Sequence, residues 1–497
     1  MPQPPLSVLR CPPFPGAKIP LLAVQDATAP VEQEAAEECA ALMRQHRVGG
    51  AFWGEEDPWS TFDGKLEWHG KADDENALLA RIAGLRVKLA GHGRFADCAS
   101  DQGHETTTLV ERHVLVGWRF VSPFDGTATS APKTIAQLGE WRRLIMNNRE
   151  IAGVMGVARW KRSTMTAMLW DGMHGPHYIR QVGDLKRPGI VAVWKSRTPR
   201  AALDALLVSG RQIAEIEDGF IRSAGLGADC IPPLSIVVDR QGIYFDPGQP
   251  SDLETILQHA DIDDETLARA AALRERLIVA GISKYGLDAE PFVRPAGARR
   301  QVLVTGQVED DRSVLTGGAG MCNLDLLRQA RALEPDAYLI YKPHPDVEAG
   351  HRKGRIADSD ALVFADLVER QAPIAGILAS VEAIHVITSL AGFEGLMRGK
   401  EVVAHGAPFF AGWGVTTDLQ QVSARRTRRR KIDELVVATL ILYPIYFDPV
   451  SRLPCPVEML VQRMEAGATA IITPVVRLRQ WQGRLNLFFN AWGRRHD

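Results

Sequence analysis

From Ile190 onward, short apolar runs alternate with stretches whose apolar positions recur at helical spacing. Ile190–Trp194, Ile213–Glu217, Val302–Thr305, Ala337–Tyr341, Ala383–Ile387 and Val402–Ala404 are predicted strands. Helices are predicted over Pro199–Leu207 and from Leu324 to about Leu333. Ser251-Asp-Leu-Glu254 matches a capping box and opens a helix carrying Leu253, Ile256 and Leu257. Strands that alternate with helices imply a parallel sheet covered on both faces. The alternation breaks over Asp288–Arg300, where Pro291, Pro295, Gly297 and charged residues read as a linker. Two Rossmann-like α/β units follow, spanning about 150–290 and 298–450.

Residues 1–110 read as an appended unit. They hold a Pro-rich entry, an acidic amphipathic stretch (Val31–Gln45) and the run Ala51-Phe-Trp-Gly-Glu-Glu-Asp-Pro-Trp59. Trp53, Trp59 and Trp68 are expected to pack rather than to stack on a ligand.

Composition narrows the class. The 497 residues are 45% hydrophobic and 24% charged, which excludes long disorder. The six cysteines (Cys11, Cys39, Cys98, Cys230, Cys322 and Cys455) form no C-x-x-C pair, which excludes zinc-ribbon and thioredoxin-like readings and suits a reducing cytosol. No run of about 18 apolar residues is present, and the start MPQPPLSVLRCPPFPG is too interrupted for a signal peptide. A cytoplasmic protein, at most docked on the inner face of the membrane, is expected.

The net charge of −2 averages opposed ends. Residues 1–110 hold 10 basic and 16 acidic side chains, and residues 425–497 hold 13 basic and 6 acidic. Arg425-Arg-Thr-Arg-Arg-Arg-Lys431 concentrates six cations. The tail Arg477–Arg495 mixes arginines with Trp481, Phe488, Phe489 and Trp492. Such a basic, aromatic tail suits peripheral contact with an anionic membrane, or else packs back on the protein. No base-stacking module accompanies the basic run, so nucleic acid is not an expected partner.

Three polar clusters stand at predicted strand ends, where open α/β sheets bind ligands. Glu217-Asp218-Gly219 could supply a nucleophile or base, or be a solvated acidic turn. In Lys342-Pro-His344-Pro, a cation and an imidazole two residues apart suit a phosphate or a departing phosphoryl oxygen. Thr388-Ser389 opens a helix, as an anion site or simply as its cap. Thr316-Gly-Gly-Ala-Gly320 is a weaker candidate for a phosphate cradle. Carboxylates in one unit, with cations and hydroxyls in the other, suit a nucleotide-sugar transferase.

At these residues the chain resembles a family. E-D-G-F-I-R-S-A-G-L-G (217–227), P-P-L-S-I-V-V-D-R-Q-G-I-Y-F-D-P (232–247), T-G-Q-V-E-D-D (305–311), Y-K-P-H-P-D-V-E-A-G (341–350), T-S-L-A-G-F-E-G-L-M-R-G-K (388–400) and P-F-F-A-G-W-G-V-T-T-D (408–418) resemble capsule polysaccharide biosynthesis proteins of the KpsC-like type. These are retaining β-Kdo glycosyltransferases, Kdo being 3-deoxy-D-manno-oct-2-ulosonic acid. The likeness covers roughly 115–455 and is closer to the second module of tandem members.

The resemblance implies a GT-B architecture of two facing Rossmann-like domains. Residues 111–295 would hold the acceptor and catalytic carboxylate, and 296–460 the donor, with 1–110 and the tail 461–497 appended. It implies CMP-Kdo as donor, a lipid-linked Kdo acceptor, capsule biosynthesis and export proteins as partners, and no metal or other cofactor. It casts Asp218 as the nucleophile, Glu217 as base or support for Asp218, and His344 as a catalytic donor to the leaving phosphate. Lys342, Thr388, Ser389, Glu394, Gly306 and Gln307 would hold the nucleotide, and Arg222 the Kdo carboxylate. A non-catalytic capsule assembly or export factor on the same fold is the alternative, and a nucleotide-sugar epimerase a further one.

Overall fold

The structure is a computed structural model, and it describes residues 7–18, 21–28, 34–222, 231–283, 286–287, 292–294, 297, 299–350 and 352–469. The tail Arg477–Arg495 lies outside the described residues, as do 223–230 and most of the 288–298 linker. The chain divides into two compact units. One comprises Met1–Val191, Asp204–Arg211 and Phe447–Cys455. The other comprises Ala192–Leu203, Gln212–Tyr446 and Pro456–Asp497.

In the first unit, one apolar core joins Val8, Phe14 and Met43 to Leu138, Trp141, Ile145 and Trp170. A boundary at residue 110 therefore has no counterpart in the packing. The long helix Ala131–Arg149 supplies a face of the same core that covers helix Glu34–His46. Asp57 caps helix Pro58–Phe62 by accepting from the Trp59 N–H at 3.1 Å, and it takes the buried Arg142 guanidinium through both oxygens. Trp59 is buried, and Trp53 and Trp68 pack against the core, as the packing reading expects.

Two strand systems of the second unit bear on the candidate site. In the first, β1 (Ile213–Asp218) runs antiparallel to β2 (Ser235–Asp239), pairing Glu217 with Val237 and Asp218 with Ile236. Helix α1 (Asp252–His259) follows. The Ser251 Oγ accepts from the Glu254 N–H at 3.0 Å, so Ser251 caps the helix as predicted, while the Glu254 carboxylate takes Arg425 and Arg426 instead of completing a capping box.

The second system is a six-stranded sheet, entirely parallel. Its strands are β3 (Gln301–Thr305), β4 (Tyr338–Lys342), β5 (Leu367–Val368), β6 (Ala383–Val386), β7 (Glu401–Ala404) and β8 (Thr417–Asp418), in the order β5-β4-β3-β6-β7-β8. Counted within this sheet alone, the order is 3-2-1-4-5-6, the Rossmann arrangement. All five residues of β3 and all four of β6 are buried, as central parallel strands must be. Val302, Val304, Leu339 and Tyr341 alternate onto the face that meets Leu326, Leu327 and Ala330 of helix α3 (Asn323–Leu333). No described helix is long and apolar enough to cross a membrane.

Candidate active site at the ends of the parallel strands

In a sheet of this order the chain leaves β3 toward one edge and later returns beside it to build the other. The loops after β3 and β6 then diverge and open a crevice at the topological switch point. Gly306 and Gln307 follow β3, and Thr388 and Ser389 follow β6. Two hydrogen bonds span the crevice. Gln307 Nε2 donates to Thr388 Oγ1 at 3.0 Å, and the Thr388 N–H donates to Gln307 Oε1 at 2.8 Å. Asn323 fixes the Gln307 backbone by accepting its N–H and donating to its carbonyl, both at 2.8 Å.

Lys342 ends β4, the strand next to β3, and its carbonyl accepts the Gly306 N–H at 2.8 Å. Gly306 must lack a side chain, because a Cβ there would sit 2.5 Å from the Tyr341 hydroxyl and 3.2 Å from Pro343 Cα. Lys342 Nζ reaches the Arg370 carbonyl at 3.3 Å. His344 caps the short helix α4 (Pro345–Glu348). Its Nδ1 accepts the Asp346 N–H at 3.2 Å, so a neutral ring carries its proton on Nε2. Gly306-Gln307, Lys342-His344 and Thr388-Ser389 thus stand at the C-terminal ends of three adjacent strands.

Ser389 does cap α5 (Leu390–Met397), accepting from the Ala391 N–H at 3.2 Å, while Glu394 lies buried within that helix. The run Thr316–Gly320 lies beside Thr388. It ends helix α2 (Arg312–Gly317), where the Gly317 carbonyl accepts the Ala407 N–H at 2.8 Å and a Cβ on Gly317 would meet Thr388 Cγ2 at 3.1 Å. Gly317 and Gly318 serve close packing against the switch point, and Gly320 takes a left-handed turn at φ 76°.

The carboxylates end β1, and the pleat turns Glu217 and Asp218 to opposite faces. The sequence reading places Arg222 on a donor carboxylate. In the structure Arg222 is buried, and it donates through Nε to Asp218 Oδ2 at 2.9 Å and through Nη2 to the Ile231 carbonyl at 3.0 Å. A guanidinium so placed favours the ionised form of Asp218. Gly219 admits the next turn, since a Cβ would fall 2.3 Å from Ser235 Oγ.

On the Glu217 face stands a group that sequence reasoning missed. Glu215, two residues earlier, is salt-bridged by Lys195 Nζ at 2.7 Å and by Arg312 Nη1, and Arg312 also lies 3.8 Å from Glu217. The strand period alone relates Glu215 to Glu217. Arg312 directly follows the T-G-Q-V-E-D-D string.

Within the basic run Arg425–Lys431, Arg426 and Arg430 are buried, and Arg425, Arg429 and Lys431 stay exposed. Arg425 and Arg426 share Glu254, Arg426 donates to the Pro408 and Ala411 carbonyls, and Arg430 donates to the Leu257 and Ala260 carbonyls. Among the described residues, one set has the makings of a metal site: Asp97, Cys98 and His113 of the first unit. There Asp97 accepts from His113 at 2.8 Å and also takes Arg112, so the Arg112 guanidinium already neutralises it.

Strand order and polar strand ends define a doubly wound α/β protein whose candidate residues gather at its topological switch point. The chain belongs to the family of capsule polysaccharide biosynthesis proteins, whose model matches residues 191–285 and 265–446 and so includes every candidate residue above.

It is 48% identical over 238 residues to the capsule polysaccharide modification protein LipA of Neisseria meningitidis serogroup A, a match covering 48% of this chain and 34% of LipA. The chain thus spans about a third of the length of that relative. It is 37% identical over 336 residues to the lipopolysaccharide-processing protein LpsZ of Rhizobium meliloti, covering 64% of this chain and 76% of LpsZ.

Among solved structures it is similar to the β-Kdo 2,4 transferase of Thermosulfurimonas dismutans KpsC, with a TM-score of 0.55 and 30% identity over 63% of this chain and 98% of that one. The β-Kdo 2,7 transferase of the same KpsC gives a TM-score of 0.52 and 29% identity over 64% and 99%.

Proposed function

We propose that the protein is a retaining glycosyltransferase that moves Kdo from CMP-Kdo onto a Kdo-primed lipid acceptor during capsule polysaccharide synthesis. The observation that carries this reading is the convergence of Gln307, Lys342, His344 and Thr388 at one switch point, in a chain similar to two β-Kdo transferases. Residues 296–460 act as the donor lobe, and 111–295 carry the catalytic carboxylate.

Asp218, ionised beside Arg222, attacks the anomeric carbon of Kdo as the bond to the CMP oxygen breaks. The leaving phosphate takes the electron pair. That phosphate needs charge support rather than an acid, and the Lys342 ammonium, the His344 Nε2–H and the Thr388 hydroxyl supply it. An acceptor hydroxyl then attacks the same carbon from the face the CMP has left, displaces Asp218 as a free carboxylate and loses its proton to a base, so two inversions give retention. Glu217 serves as that base or in its support. Glu394 accepts hydrogen bonds from the ribose. The scheme uses no metal.

Asp218→Asn should abolish transfer while the circular dichroism spectrum and melting temperature stay near those of the wild type. Mass and linkage analysis after incubation with CMP-Kdo and a synthetic Kdo-primed lipid reads the product. Full activity of this variant removes Asp218 from the mechanism.

A further inference from the structure

The charge arrangement around Glu217 exceeds what one carboxylate needs. Glu215 lies on the same face of β1 with its side chain only 1% exposed, and it holds Lys195 on one oxygen and Arg312 on the other. Arg312 reaches Glu217 as well and stacks over the Phe245 ring at 4.9 Å. Burial works against its charge. The hydrogen bond to Glu215 and the fields of Glu215, Glu217 and Asp246 outweigh that and hold its pKa above the ordinary arginine value. Arg312 is thus a fixed cation, held from several sides.

Its backbone opens α2, and the next residue, Ser313, has its hydroxyl 3.5 Å from that of Thr388. Thr316, one turn on, donates to the Phe245 carbonyl at 3.1 Å. One six-residue helix therefore touches both the carboxylate-bearing strand and the switch point.

We infer that Arg312 is a positioning residue, which keeps Glu217 ionised and sets α2, and with it Thr388, against the strand that bears the carboxylates. The inference rests on the transferase reading. Arg312 faces Glu217 from α2 and Glu215 faces it from its own strand; Lys195 and Asp246 act through these two, and Asp218 with Arg222 occupies the opposite face. Without Arg312, Glu217 loses the cation 3.8 Å away and keeps Glu215 beside it on the same strand face, and like charges disfavour ionisation.

The test compares the full-length wild type, Arg312→Met, Arg312→Lys and the control Arg328→Met on α3. The pH profile of kcat/KM is read with CMP-Kdo and a Kdo-primed acceptor. Arg312→Met should move the acidic limb upward by about one pH unit, Arg312→Lys should restore most of it, and the control should not move it. In parallel, carboxyl-labelled glutamate is titrated by ¹³C NMR without substrate, with Glu217→Gln assigning the resonance. An unshifted Glu217 midpoint in Arg312→Met overturns the inference, even if that variant melts at a lower temperature. A wild type that transfers no Kdo overturns the transferase reading instead, and the NMR titration still decides for Arg312.

Discussion

His344 carries two jobs on one ring. Nδ1 closes the first turn of α4, and in the proposed mechanism the proton on Nε2 supports the leaving phosphate. Asparagine is a strong N-cap and can accept from the Asp346 N–H, but it offers no donor at the Nε2 position. His344→Asn should therefore melt close to the wild type, yet lose on the order of 10²-fold in transfer rate, as loss of a charge-stabilising donor does. An unchanged rate would leave His344 a cap and nothing more. Glu217 and Asp218 show what a string of letters hides. Side by side in sequence, they read as one acidic pair; on a pleated strand they serve opposite faces, one with Arg312 and one with Arg222.

At the scale of elements, the strands were legible because central parallel strands are continuous apolar runs. Val302–Thr305 is observed as Gln301–Thr305 and Ala383–Ile387 as Ala383–Val386, while Ile213–Glu217, observed as Ile213–Asp218, is a strand with acidic positions that pairs antiparallel with β2. Strand order was not legible, since nothing local tells β6 that it pairs with β3 rather than β5. The reach of Arg312 depends on that packing, and so was hidden too.

The sheet also encloses a histidine pair. His385 of β6 and His405, just past β7, are fully buried, with His385 Nδ1 at 2.9 Å from His405 Nε2 and His405 Nδ1 at 2.9 Å from Gln329 Oε1. The amide oxygen can only accept, so the protons run from His385 to His405 to Gln329. Burial, with help from His405 and Arg300, pushes His385 down to about 3, and burial pushes His405 down to about 4. Unfolded imidazoles near 6.5 take up protons first as pH falls. The pair's contribution is complete above about pH 6.5 and is lost progressively toward pH 4. By pH 5 the loss is on the order of 2 kcal/mol per imidazole. The melting temperature should fall between pH 7 and pH 5, and replacing both histidines by asparagine should flatten that fall. An equal slope in the variant would contradict the assignment.

For the whole molecule, the sequence showed where charge is but not whether it is available. The Arg425–Lys431 run looks like a polyanion-binding patch, yet Arg425, Arg426 and Arg430 are spent on Glu254 and on backbone carbonyls and Arg428 on Asp261, which leaves Arg429 and Lys431 exposed. Membrane docking, if it follows charge, then falls to the tail beyond residue 475. Full-length protein should co-sediment with anionic liposomes and a 1–475 truncation should not; equal sedimentation would remove the tail from that role. The first unit was the least legible part. Its tryptophans and long helix share a core assembled from distant stretches, and no single stretch carries a motif for it.

The Glu254 clamp has a kinetic meaning. Glu254 and Arg425 are 171 positions apart in the chain, and the six-stranded sheet lies between them in sequence. Closing so long a loop is entropically costly until the intervening strands have drawn its ends together. The clamp is therefore a late contact, absent from the folding transition state and present in the native one. Interactions of that kind govern how fast a protein comes apart, not how fast it forms. Glu254→Gln should accelerate unfolding in denaturant jumps and leave the refolding rate nearly unchanged, and a variant that instead refolds slowly would place the clamp early. The densest cluster of positive charge in the described chain then acts as a latch on the lifetime of the folded state.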